Sequence, residues 1–105
     1  METIKKEQIE LIGQFMVDIN FNKYKLNWSY LEKLFEKIKD LTLFAEISVK
    51  FTGTNKGCSI VVFDFNNVTL FETYPKVNSE GKTIFSESIK AVTNFIEWYN
   101  DNYRD

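Results

Sequence analysis

Hydrophobic positions along this chain recur with two different periods, and the change between them divides it into elements. In TIKKEQIELIGQFM, residues 3–16, Ile9, Ile12, Phe15 and Met16 fall at helical spacing, and Leu11 widens the stripe. This predicts a first helix with Thr3 as a candidate cap. Gly13 weakens that helix by about 1 kcal/mol relative to alanine, and serves either close approach of another element or early termination. A second helix is predicted from LNWSYLEKLFEKIKDL, residues 26–41. Asn27 is a candidate N-cap, and Ser29 with Glu32 offers an alternative capping box. Trp28, Leu31, Leu34, Phe35 and Ile38 share one side of it, while Glu32, Lys33, Glu36, Lys37, Lys39 and Asp40 share the other.

The period then becomes two. In FAEISVKFT, residues 44–52, Ala45, Ile47, Val49 and Phe51 alternate with Glu46, Ser48, Lys50 and Thr52, the mark of a strand with one wet face. TGTNKG supplies turn chemistry, and CSIVVFDF, residues 58–65, follows with apolar residues on both faces of its middle. Asn66-Asn67 suits a tight hairpin into a third strand, VTLFETY, because asparagine tolerates the left-handed conformation. A strand that is apolar on both sides belongs in the middle of a meander, covered above and below. The expected architecture is therefore α+β, in the order α-α-β-β-β-α. A three-stranded antiparallel meander, with residues 58–65 as its central strand, forms the middle of a three-layer α/β/α sandwich.

After the polar loop PKVNSEGK comes the last helix, with Thr83 as its candidate cap. Projected at 100° per residue, Phe85, Ile89, Val92, Ile96, Tyr99 and Tyr103 form one band with Phe95 beside it and Trp98 at its rim. Lys90, Thr93, Asn94, Glu97 and Asp101 lie opposite. The rings of this helix are read as core rather than as a ligand box.

Composition narrows the picture further. At 105 residues the chain makes one domain, 1–105, with no internal repeat or dividing linker. Thirteen basic against fifteen acidic residues leave a net charge of −2, too small to imply an electrostatic partner and lacking the basic excess of nucleic-acid modules. No apolar run suits a signal peptide or a membrane span, and the single Cys58 fits a reducing compartment, so a cytosolic location is expected. Cys58 itself reads as a small buried hydrophobe.

Three stretches carry a resemblance: IELIGQFM at 9–16, LNWSYLEKLFEKI at 26–38 and AVTNFIEWYN at 91–100. Together they resemble the small phage-associated proteins with the phage ABA sandwich domain. In that family a helix like LIAEFM precedes one opening in WDWLMPVVEKIE, then a few strands, then a helix ending in AVVEFIKWYN. Trp28, Tyr30, Leu31, Glu36, Lys37 and Ile38 fit the second pattern. Ala91, Val92, Phe95, Ile96, Trp98, Tyr99 and Asn100 fit the third. Glu32-Lys33 depart from it, standing where Met-Pro is usual. The resemblance implies an α/β/α sandwich of phage or prophage origin in a bacterial host, and it carries no catalytic residue across.

Candidate chemistry is sparse. The absence of histidine removes the usual general base near neutral pH and, with one cysteine, any ordinary structural zinc site. No catalytic constellation, metal site or cofactor is therefore expected. Glu46, Asp64 and Glu72 on adjacent strands could share a proton or a cation if brought together, or simply line a wet sheet face. GTNKG, 53–57, lacks the spacing and ending of a phosphate loop. The most suggestive stretch is FNKYKLNWSY, 21–30, where Phe21, Tyr24, Trp28 and Tyr30 interleave with Lys23 and Lys25. Rings and cations so mixed suit single-stranded nucleic acid, with Lys23, Tyr24, Lys25 and Trp28 as the candidate site. The acidic balance argues against that, and leaves a non-enzymatic protein-interaction module as the leading expectation. Its partner is another protein, or a second copy paired through a sheet edge.

Overall fold

The computed structural model describes residues 4–45, 47–54, 57–74 and 84–103. Helix α1 spans Lys6–Met16, a short 3-10 turn Lys23–Lys25 follows, and α2 spans Trp28–Phe44. Strands β1 (Ser48–Thr54), β2 (Gly57–Phe63) and β3 (Thr69–Thr73) precede α3 (Ile84–Tyr103). The order is α-α-β-β-β-α, and the sheet is an antiparallel meander, β1-β2-β3, with β2 in the centre. Class, element order and central strand are those the periodicity predicts.

Asn27 caps α2 as expected, its Oδ1 accepting from the Tyr30 amide at 2.9 Å, so the Ser29–Glu32 box is not needed. The helix then runs to Phe44 and takes in residues expected at the start of β1, with Ala45 as its C-cap. β2 ends at Phe63, short of the expected 65, and Phe65 sits exposed in the turn. There Asp64 Oδ1 accepts from the Asn66 and Val68 amides at 2.8 and 2.9 Å. The Asp64 carbonyl accepts from Asn67, which takes φ 62°. The hairpin loop is thus three residues closed by a left-handed asparagine, where Asn66-Asn67 alone was expected to turn the corner. Thr3, Glu46, Asn55, Lys56 and Thr83 lie outside the described residues.

Register places Val49, Phe51, Cys58, Ile60, Val62, Phe71 and Thr73 on one face of the sheet. The helices meet this face. Phe35 of α2 packs on Phe51 with ring centroids 4.8 Å apart, and Phe71 lies 5.3 Å from Trp98 and 6.1 Å from Phe95 of α3. Cys58 Sγ lies 4.0 Å from the Ser88 carbonyl, and Asn94 donates to Thr73, so α3 runs along β2. Ile60, Val62, Ile89, Val92, Phe95 and Ile96 are fully buried between them, with Leu31, Leu34 and Ile38 of α2 and Ile12 of α1 completing the core.

The placement of layers differs in one respect from a sandwich with helices above and below. α1 makes its main contact with α3, not with the sheet. Among the described residues, every ring contact and hydrogen bond joining a helix to the sheet lies on the Ile60 face. The two-sided apolarity of β2 has another cause: Val61 stands between Lys50 and Glu72, and Phe63 between Ser48 and Thr69. Flanking side chains on both sides leave these two only half-exposed without any described helix over them.

A candidate interaction surface

The 17–30 segment is built by a chain of local hydrogen bonds. α1 ends where the Asp18 amide bonds the Gly13 carbonyl at 3.0 Å and the Val17 amide bonds Gln14 at 3.2 Å, a Schellman closure. This closure puts Val17 at φ 53°, ψ 46°, a conformation β-branched residues avoid. Phe21 folds back over Gly13, where a methyl group would meet Phe21 Cβ at 3.4 Å. The glycine therefore marks a close approach that has just enough room for alanine. Asn22 Oδ1 accepts from the Tyr24 amide at 2.9 Å and starts the 3-10 turn. Asp18 Oδ2 lies 3.4 Å from both Lys25 Nζ and Tyr30 Oη. Burial, reinforced by the Asp18 charge and hydrogen bond, pushes the Tyr30 phenol above its ordinary range.

These constraints sort the sequence candidates. Phe21 and Tyr30 are 4.7 Å apart and half-buried against each other, so neither ring is open to a base. Trp28 leans edge-on against Phe85 at 5.0 Å yet stays 53% exposed. Tyr24 is 84% exposed, with Lys23 Nζ 5.2 Å from its ring. Lys25 points at Asp18, which removes one of the two cations from a phosphate-binding role. The structure thus brings Lys23 and Tyr24 together and leaves Lys25 and Trp28 with partners inside the chain.

Two residues outside the sequence candidates complete the surface: Val17, 80% exposed, and Ile19, 96% exposed. Ile19 follows Ile12 and Met16 at helical spacing, so periodicity alone assigns it to the buried stripe of a longer α1. The available signal was the run Asp18, Asn20 and Asn22, turn formers that end the helix and turn the next apolar residues outward.

Of the carboxylates expected on the strands, Glu46 lies outside the described residues, and Asp64 and Glu72 are engaged separately. Asp64 closes the hairpin and Glu72 accepts from the Tyr74 hydroxyl at 3.0 Å, which holds that phenol above its ordinary range. Among the described residues no group of three or more Cys, Asp or Glu side chains is arranged to hold a metal ion. A groove between α1 and α3 is lined by Lys5, Glu7, Lys90 and Glu97 among others, with its charges balanced. No described helix is long and apolar enough to cross a membrane. Comparison with family models, curated proteins and solved structures finds nothing that matches this chain.

Proposed function

We propose that this chain is a non-enzymatic protein-interaction module of phage or prophage origin, working in the bacterial cytosol, and that it docks on its partner through residues 17–28. The observation that carries this reading is the outward placement of Val17, Ile19, Tyr24 and Trp28 within twelve residues. Scattered exposed hydrophobics are ordinary on a surface, but a run of four on a backbone fixed by successive caps is pre-organised for contact. Two of the four are aliphatic, which suits a protein pocket better than a stack of bases. The resemblance to phage ABA sandwich proteins supports the origin and the cellular setting.

Tagged wild-type protein should capture a specific host or phage protein from infected lysate, and Ile19→Asp with Tyr24→Ala should lose it while circular dichroism stays unchanged. Capture that survives both substitutions would overturn the assignment of the surface. Tyr24 with Lys23 leaves single-stranded nucleic acid as the second reading. Oligonucleotide binding that falls steeply with added salt, and is lost in Tyr24→Ala, would favour it over the first.

A further inference from the structure

The face of the sheet opposite the described helices carries Ser48, Lys50 and Thr52 from β1, the buried Ser59 with Val61 and Phe63 from β2, and Leu70, Glu72 and Tyr74 at β3, where a register shift sets Thr69 opposite Phe63. Lys50 and Glu72 are exposed, Tyr74 is largely so, and Val61 and Phe63 are half-exposed between them. Strand register puts Lys50, Val61 and Glu72 in one row across the sheet. With strands about 4.8 Å apart, the two charges stand roughly 10 Å from each other on either side of the valine, too far for a direct pair. Among the described residues Lys50 has no acidic partner.

We infer that two copies of this chain pack sheet to sheet through this face, about a twofold axis parallel to β2. The row of charge selects both the occupant and the axis. Rotation about an axis along the strands exchanges the two flanks of the row. Lys50 of each copy then faces Glu72 of the other, and Val61 meets Val61. Rotation about an axis across the strands would set Lys50 against Lys50 and Glu72 against Glu72, which like-charge repulsion opposes. Sheets pack about 10 Å apart, a gap that lysine and glutamate side chains span from opposite sides. The next row follows the same symmetry: Phe63 meets Phe63, flanked by Ser48 and Thr69. Such an isologous contact closes on itself and makes a dimer, not a filament. A three-stranded sheet offers less than the roughly 800 Å² per partner of a standard interface, so the dimer is weak and concentration-dependent.

This contact does not involve residues 17–28, and it differs from pairing through a sheet edge. Sedimentation equilibrium of the wild type over a concentration series tests it beside Lys50→Glu and Glu72→Lys. Both positions are exposed, and a thermal melt checks each variant's fold. The wild type is expected to dimerise reversibly, and each single reversal to weaken the dimer about tenfold or more. An equimolar mixture of the two variants should recover it, because both cross-pairs are then opposite in charge; the double variant should recover it alone. A wild type that stays monomeric to its solubility limit, a dimer indifferent to both reversals, or a mixture that fails to associate would each overturn the inference.

Discussion

A valine ends α1 in the left-handed region, where its Cβ crowds the backbone at a cost on the order of 1–2 kcal/mol. Glycine has no such penalty, although its freer unfolded chain offsets part of the gain. Val17→Gly should therefore stabilise the protein by about 1 kcal/mol, read as a higher urea midpoint at unchanged slope; no shift, or a loss, would show that Val17 is not strained. Cys58 presents a different balance. Burial pushes its thiol above the ordinary value of 9.0, and hydrogen bonding by the Ser88 side chain and the Cys58 backbone opposes the shift only in part. The folded state thus favours the neutral thiol. That preference is fully present below pH 9 and is lost as pH rises through the folded value, so stability should decline in alkali rather than in mild acid. At pH 8, iodoacetamide should label Cys58 only as fast as the protein unfolds; prompt labelling of native protein would contradict its burial.

At the level of elements, much of the fold was legible because each piece follows one period with a local stop signal. α2 reads from its apolar stripe and from Asn27, whose side chain caps it. Asn27→Ala should cost about 1 kcal/mol by chemical denaturation, and a change near zero would mean that water or another group replaces the cap. The closing helix reads less completely. Its band through Ile89, Val92 and Ile96 is buried as expected, and Phe95 joins Phe71, Trp98 and Tyr99 in a ring cluster. Phe95→Ala should cost about 3–5 kcal/mol in the same assay. Yet Thr93, assigned to the wet side, is buried, and so is Glu87. Periodicity finds only the face that meets the main core; α1 settling on the other side of α3 is a tertiary event with no apolar signature of its own. The same limit explains Ile19, whose spacing says helix while the polar residues around it say turn.

Across the whole molecule, the helices gather on one side of a small meander and leave two surfaces of different character. The segment between α1 and α2 presents aliphatic and aromatic side chains from a tightly bonded backbone, and the open sheet face presents a charged row around two apolar residues. The first was partly visible in the sequence, through Tyr24 and Trp28 in the 21–30 stretch, whereas Val17, Ile19 and the sheet face were not, because they depend on where helices end and come to rest. The more consequential of the two is the segment 17–28 as a contact with another protein. A photo-reactive phenylalanine analogue placed singly at Ile19, at Tyr24 and at the exposed Asp101 tests it in infected cells under illumination. Positions 19 and 24 should yield the same discrete protein adduct and position 101 none. Adducts to nucleic acid alone, or one pattern at all three positions, would contradict it.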